Sequence, residues 1–299
     1  MSEPALDFLC CELSQEMNEP LAGTAVTARI WFMLEYTRPW GAKATTENEL
    51  PPAVRQWLGD EVVARHGRLQ FIRQFRPDAD VITLFVGVND EINPSLYEFH
   101  LGAYEDMFEL DIEALLAADG RYQPHLVTGQ RTFICSNGKR DKSCAVYGAA
   151  LYRAFAQKQP HSVWMTTHLG GHRFAATLLT LPSGVCYGRV TPHDINTLTT
   201  AVQRGDIWLE KCRGRTCYPP LVQTADFHCR QQTGLTKIEA IKLVEAIEIA
   251  DGSWQVQFQS SDKQLFTVTL AAAEPLSVYA NSGSPSQKEI PQIKLVDIK

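Results

Sequence analysis

Short apolar runs separated by turn residues divide the middle of the chain into strand and helix segments. TFICS and SVWMTTH are predicted strands on either side of a helical segment, CAVYGAALYRAFAQ. RFAATLLTLP and VCYGRV follow as two strands joined by a Ser-Gly turn, and HDINTLTTAVQRG is a predicted helix. The order strand, helix, three strands and helix predicts an α/β domain.

The first half of the chain shows a similar succession. TARIWFMLEY is a predicted strand, and LPPAVRQWLGDEVVARHG and DIEALLAA are predicted helices. Between the two helices stand three predicted strands, LQFIRQF, VITLFVG and SLYEFHLG. The repeated order predicts a degenerate duplication, although an unrelated α/β domain with the same element order remains open.

The remaining sequence differs in character. PPLVQTADFHCRQQ is a predicted helix with proline near its start, and residues 236–272 form a predicted β-meander with turns at DG and SSD. The tail NSGSPSQKEIP is polar and is predicted to be flexible, and no chemistry is assigned to this segment. We expect an N-terminal α/β domain over 1–124, a second α/β domain over 125–234 and a β-rich extension over 235–299.

Composition narrows the classes of function. The 299 residues are 44% hydrophobic and 21% charged, enough for two domains with cores of their own. The net charge of −6 argues against a nucleic-acid partner, which would normally meet a basic face. The N-terminus lacks a basic region and an apolar run, and no stretch approaches the ~20 apolar residues of a membrane span. We expect a cytoplasmic protein with no membrane or nucleic-acid partner.

The chain has eight cysteines. In the reducing cytosol, thiols that are free or bound to metal are expected rather than disulfides. Six of the eight are predicted to be plain thiols: Cys10, Cys11, Cys186, Cys212, Cys217 and Cys229.

Two cysteines and two histidines are the candidate chemical groups. Cys135 and Cys144 stand in ICSNGKRDKSC as C-x8-C, and His168 and His172 stand in THLGGH as H-x3-H. Both pairs lie in polar, glycine-containing loops after predicted strands, which suits metal ligands better than core packing. Two thiolates and two imidazoles make a plausible four-ligand metal set.

The spacing argues against several known kinds of metal site. A helical H-x3-H zinc protease needs glutamate after the first histidine, where this chain has Leu169, and Gly170 and Gly171 favour a loop over a helix. C-x8-C is too wide for the cysteine knuckle of a zinc finger, although zinc itself stays open. Rieske centres interleave cysteine and histidine in two short motifs, whereas here like is paired with like.

Three longer stretches resemble a known family. CSNGKRDKSCAVYG, VWMTTHLGGHRFAATLLTLPSGVCYGRV and RGRTCYPPLVQTAD resemble the sucrase/ferredoxin-like family, over about residues 8 to 232. The resemblance implies a thioredoxin-like ferredoxin domain, and the repeated element order then predicts a degenerate thioredoxin-like α/β domain before it. Such ferredoxins usually have four cysteine ligands, the second pair spaced C-x3-C, and a bis-histidine branch replaces that pair with H-x3-H. The resemblance therefore implies a [2Fe–2S] cluster on Cys135, Cys144, His168 and His172.

A one-electron carrier that works with a redox partner protein is the expected function. Two neutral imidazoles in place of two thiolates remove negative charge, which eases reduction, and their ring N–H groups favour proton-coupled transfer. Positive charge near the cluster would also ease reduction. The candidate cations in the ligand loops are Lys139, Arg140, Lys142 and Arg173. Arg213 and Arg215 are expected either to return near the cluster or to form a docking patch for an acidic partner.

Two other functions stay open. A zinc-stabilised interaction module would use the same four ligands without redox activity. A thiol–disulfide oxidoreductase would use Cys135 and Cys144 directly, although C-x8-C lacks the helix-start C-x-x-C geometry that lowers a thiol pKa. Nothing in the chain suggests the paired carboxylates of a sucrase. An electron carrier is expected rather than an enzyme with a substrate of its own.

Overall fold

The apolar runs of the first half form four strands of one sheet. The computed structural model describes residues 7–75 and 81–299, so the first six residues of the N-terminal stretch lie outside it. The strands are β1 (Ile30–Glu35), β2 (Gly67–Arg73), β3 (Ile82–Val88) and β4 (Ser95–Leu101). The helices are α1 (Cys10–Glu16), α2 (Pro52–Trp57) and α3 (Ile112–Leu116).

The second half supplies five more strands to the same sheet. They are β5 (Arg131–Cys135), β6 (Val163–Thr166), β7 (Leu178–Leu181), β8 (Val185–Tyr187) and β9 (Cys212–Arg215). The helices are α4 (Ala149–Lys158), which a π-helical turn precedes at Cys144–Gly148, and α5 (Ile195–Gln203). β5 to β8, α4 and α5 match the segments predicted from the periodicity, whereas β9 was not predicted.

The sheet topology repeats itself. The nine strands lie in the order β4-β3-β1-β2-β6-β5-β7-β8-β9. In each half the first two strands pair in parallel, the third pairs antiparallel with the first, and the fourth pairs antiparallel with the third. β2 and β6 meet antiparallel between the halves. The expected fold class, two thioredoxin-like α/β units in succession, is confirmed.

The two halves have a common hydrophobic core as well as a common sheet. Phe85 on β3 packs edge-on against Phe133 on β5 and Trp164 on β6, with ring centroids 5.6 and 5.4 Å apart. At the strand junction, Thr167 receives a hydrogen bond from the Phe71 amide at its hydroxyl and donates its own amide to the Phe71 carbonyl. The buried apolar surface is therefore continuous across the junction between the two halves.

The C-terminal segment forms a separate four-stranded antiparallel sheet beside a helix. α6 (Pro220–Thr233) begins with proline, whose missing N–H costs nothing there, and ends at Gly234 with φ of +74°. The strands are β10 (Ile241–Ala250), β11 (Ser253–Ser260), β12 (Leu265–Tyr279) and β13 (Gln287–Ile298). Val256 and Phe258 alternate inward and pack with α6, as the predicted half-buried strand requires.

The prediction of a flexible tail over NSGSPSQKEIP is wrong. β13 begins at Gln287, and Tyr279, Val278, Ser277 and Leu276 pair with the strand residues from 287 to 290. The polar composition did not indicate this strand, because a hairpin strand is stabilised by its partner strand rather than by its own burial. In the described ranges, no helix combines the length and the apolar character that spanning a membrane requires.

Phe85→Ala should destabilise the whole nine-stranded sheet. The substitution removes the ring that touches both halves, and truncating a buried phenylalanine costs about 3–5 kcal/mol in the free energy of unfolding. Chemical denaturation followed by circular dichroism would measure the loss as one shifted transition. Phe75→Ala is the matched control, because Phe75 is 81% exposed, and it should change stability by less than about 0.5 kcal/mol. Two separate transitions, of which Phe85→Ala shifts only one, would contradict a common core.

Candidate metal centre

The cysteine pair lies where β5 ends and the following helix begins. Cys135 is the last residue of β5, and Cys144 opens the π-helical turn that leads into α4. Their Sγ atoms are 3.4 Å apart, and both residues are 1% exposed. The nine-residue separation therefore closes into a pair of adjacent, buried sulfur atoms.

Gly148 allows the close approach that brings the two sulfurs together. A Cβ atom at this position would lie 1.9 Å from the carbonyl oxygen of Cys135, far inside van der Waals contact. The helical segment that begins at Cys144 can therefore contact the end of β5 only because residue 148 has no side chain.

The loop between the cysteines is fixed by its own polar groups. The Asp141 carboxylate accepts the Ser143 amide at 2.8 Å, and the Asp141 carbonyl accepts the Cys144 amide at 3.1 Å. Asn137 donates its side-chain amide to the carbonyl of Gly41, 3.0 Å away. Gly41 belongs to the loop after β1, the strand of the first half that corresponds to β5. The corresponding loops of the two halves therefore touch.

The histidine pair lies in a loop after β6, as predicted. Gly170 and Gly171 take φ values of +90° and +71°, a left-handed conformation that glycine adopts without strain. The Nδ1 atom of His168 lies 3.9 Å from the Cys135 sulfur and 4.0 Å from the Cys144 sulfur. These three donor atoms lie within 4.8 Å of one another, a grouping that could hold a metal ion.

His172 stands beside this group and presents one free ring nitrogen. Its ring centroid is 5.1 Å from that of His168, and its Nε2 is 2.6 Å from the Ala280 carbonyl oxygen. A carbonyl can only accept, so Nε2 carries the hydrogen and Nδ1 is the unprotonated nitrogen of the neutral ring. That Nδ1 is buried and has no hydrogen-bond partner among the described residues. A buried acceptor nitrogen without a hydrogen-bond partner fits the role of a metal ligand.

A second buried group adjoins the first. Donor atoms of Cys10, Asp141 and His172 also lie within 4.8 Å of one another. Ser282 donates its amide and its hydroxyl to the Asp141 carboxylate at 2.9 and 2.7 Å. The sequence missed all of these contacts: Cys10 was expected to be a plain thiol, and no chemistry was assigned to the C-terminal segment. No local signal marks Ser282, because its partner is 141 residues away.

Hydrogen bonds and burial shift the pKa values of the Cys135, Cys144 and His172 side chains at this site. The hydrogen bond with Cys144 lowers the pKa of the Cys135 thiol well below its usual range, against burial, and His168 acts in the same direction. The same hydrogen bond raises the pKa of Cys144, so the two sulfurs shift in opposite directions. Burial lowers the pKa of His172 and keeps the ring neutral.

Asp141 keeps its negative charge beside this group. Burial alone would raise the pKa of its carboxyl group, but the hydrogen bonds from Ser282 and Ser143 outweigh burial and lower it. A carboxylate held in this way sits 3.9 Å from Nε2 of His172. It favours the hydrogen of the neutral His172 ring on Nε2, the nitrogen that faces the Ala280 carbonyl.

The predicted cations around the site divide into exposed and paired groups. Lys139, Arg140 and Lys142 are exposed on the cysteine loop. Arg173 forms a bidentate ion pair with the buried carboxylate of Glu19, with its Nη2 2.7 Å from an oxygen. Its charge is therefore largely compensated, whereas the three loop cations face solvent.

Arg213 and Arg215 do not form a docking patch. Both are 1% exposed, so neither can meet a partner protein. Arg213 does return near the site, where it donates to the carbonyl of Gly170 at 2.9 Å and lies 3.5 Å from the sulfur of Cys186. Arg215 donates to the carbonyl of Glu91 at 2.7 Å. The docking-patch prediction is wrong because Arg-Gly-Arg belongs to β9, a buried edge strand beneath α6.

Comparison with known proteins identifies the family. The family model described as sucrase/ferredoxin-like matches residues 21–214, more than half of the chain. The chain belongs to the sucrase/ferredoxin-like family. No curated protein matches it significantly.

Solved structures give a weaker likeness. A thioredoxin-like [2Fe–2S] ferredoxin from Aquifex aeolicus matches with 19% identity over 31% of this chain and 97% of its own, at a TM-score of 0.28. Another structure of the wild-type ferredoxin from that organism matches with 18% identity over 29% of this chain and 97% of its own, at a TM-score of 0.25. At these scores the likeness alone decides neither fold nor function, and the fold stands on the sheet topology described above.

Gly148→Ala should disrupt the cysteine pair. The added methyl group meets the Cys135 carbonyl and must push the helix start away, which costs about 1–3 kcal/mol or more and separates the sulfurs. The free energy of unfolding, measured with denaturant, and the metal content per chain should both fall. Gly120→Ala is the control, because an added Cβ there meets nothing within 4 Å. Unchanged stability and metal content in Gly148→Ala would show that the close approach does not position Cys144.

Proposed function

We propose that this chain is a one-electron transfer protein that carries a [2Fe–2S] cluster on Cys135, Cys144, His168 and His172. The convergence of two buried sulfurs and the His168 Nδ1 within 4.8 Å, in a chain of this family, carries the proposal. The unpartnered Nδ1 of His172 supports the fourth ligand. Thiolate and imidazole donors of this kind hold iron–sulfur clusters.

When bound, the cluster supplies a one-electron redox couple. The chain's own residues set how readily that couple accepts an electron. Two neutral imidazoles replace two thiolates, which removes negative charge, and the exposed cations Lys139, Arg140 and Lys142 add positive charge nearby. Both effects favour the reduced state and raise the potential relative to a four-cysteine site.

The two histidines hold their ring protons differently. The Nε2 hydrogen of His172 is donated to the buried Ala280 carbonyl, and losing it would leave that carbonyl without its donor. His168 is only half-buried, and no hydrogen bond among the described residues uses its Nε2. We infer that His168 is the histidine whose ring proton exchanges with solvent when the charge of the site changes.

The buried sulfurs argue against a thiol–disulfide oxidoreductase. Such an enzyme must expose its attacking thiolate to a substrate disulfide, whereas Cys135 and Cys144 are each 1% exposed. An electron can cross a short protein layer without that access. The redox partner protein would approach the half-buried His168 and the exposed cysteine loop, where the local charge is positive.

Cys135→Ala should abolish the cluster. A thiolate that balances iron charge is lost, so iron and acid-labile sulfide in anaerobically purified protein should fall to background together with visible absorbance. Cys217→Ala is the matched control and should keep the wild-type content. Wild-type content in Cys135→Ala would refute the ligand assignment. Zinc without sulfide in the wild-type protein would instead support the zinc-stabilised module.

The reduction potential should depend on pH through His168. Reduction makes the site more negative and raises the affinity of the ring nitrogen for its proton. Electron uptake should therefore bring proton uptake at alkaline pH, where the potential should fall by up to ~59 mV per pH unit. Voltammetry at a series of pH values would measure this slope.

Single cysteine replacements test which histidine is responsible. His168→Cys and His172→Cys should each lower the potential, because each adds a thiolate charge. The pH slope should vanish in His168→Cys and persist in His172→Cys. The opposite pattern would assign the exchanging proton to His172, and a flat potential in the wild-type protein would mean that neither ring proton titrates in that range.

A further inference from the structure

A cavity opens on the solvent side of His168. Its volume is about 890 Å³, within the range of small-molecule sites. It lies where β2 and β6 diverge: the two strands pair only at Ile72 with Thr166 and at Arg73 with Met165. Residues 67–70 of β2 form one wall, and Thr167 and His168 form the other.

The cavity is lined by four cations and by no carboxylate among the residues that the structure describes there. The cations are Lys43, Arg55, Arg68 and Arg140. None of the four makes an ion pair with a described acidic residue, although the whole chain has a net charge of −6. The carboxylate of Glu47 lies near Lys43 but accepts a hydrogen bond from the backbone amide of that residue.

Arg68 is the least satisfied of these cations. Its Nε is buried and has no hydrogen-bond partner in the described chain, and burial lowers the pKa of its guanidinium. A buried donor without a partner is costly, and four like charges around one cavity repel one another. Both costs fall when an anion with several oxygens occupies the space.

The chemistry of the walls indicates which anion fits. Arginine presents a planar fork that binds phosphate oxygens in pairs, and three of the four cations are arginines. Val63, which is 57% exposed, and the edge of Leu69 also line the cavity, so part of its surface suits an apolar group.

We propose that this cavity binds a phosphate-bearing organic molecule, whose phosphate groups lie on Arg55, Arg68 and Arg140 and whose apolar part packs on Val63 and Leu69. The site is separate from the proposed cluster, because none of these residues is a predicted ligand. It nevertheless includes His168, so its occupant would cover the exposed edge of that ring. This goes beyond electron transfer and holds whichever metal the four ligands carry.

Calorimetric titration of the purified full-length protein tests the proposal. Pyrophosphate and adenosine diphosphate are the anionic probes, and adenosine is the probe without phosphate. Both anions should bind saturably, more weakly at higher salt, and adenosine should bind at least tenfold more weakly than adenosine diphosphate. Because the readout is heat, it remains valid if the iron–sulfur assignment fails.

Variants locate the binding. Arg68→Gln should weaken both anions at least tenfold, and Arg55→Gln, at an exposed position that tolerates the change, should weaken them severalfold. Lys142→Gln is the matched control, because Lys142 is an exposed cation that does not line the cavity, and it should leave the affinity within twofold. Thermal denaturation confirms that each variant is folded.

Three results would overturn the proposal. The first is the absence of saturable binding of either anion at millimolar concentration. The second is binding that Arg55→Gln leaves unchanged, or that Lys142→Gln weakens equally, since a diffuse positive field would do that. The third is binding of a hexaglutamate peptide without binding of pyrophosphate, which would assign the cavity to an acidic protein partner.

Discussion

The parallel pairing of β5 with β6 is the constraint on which the candidate metal centre depends. Cys135 is in register with Thr166, so the two strands end at the same edge of the sheet and their loops leave side by side. The loop after β5 returns Cys144 to that edge, where the crossover through α4 begins, and Gly148 lets the helix rest against the strand end. Backbone geometry, rather than attraction between the donors, brings sulfur and imidazole together.

Two distant parts of the chain close the site around this edge. The hairpin between β12 and β13 reaches His172 and Asp141 through Ala280 and Ser282. α1 brings Cys10 to the other side of Asp141, 3.7 Å from its carboxylate. Hydrogen bonds from segments so far apart in sequence fix one histidine firmly and leave the other half-exposed. This asymmetry distinguishes the firmly held ring of His172 from the ring of His168, which faces the adjacent cavity.

The degenerate first half supports the site without supplying any of its predicted ligands. Its sheet repeats the topology of the second half, but its loop after β1 carries YTRPWGAK, where Trp40 is buried beneath Arg73, 4.2 Å from its guanidinium carbon. That loop touches the cysteine loop at Gly41, and β2 provides a wall of the cationic cavity. The duplicated unit thus extends the sheet and shapes the surroundings of His168.

The sequence by itself indicated most strands and helices of the two α/β halves and the four predicted ligands, but it missed β9 and β13. Alternation of apolar residues is a short-range property, and C-x8-C and H-x3-H are local spacings that follow recognisable strands. Only the tertiary structure decided that Arg213 is buried, that Ser282 binds Asp141 and that unpaired cations gather beside His168. A polar side chain has the same local pattern whether water or a distant partner satisfies it, so its role is set by contacts that sequence spacing does not encode.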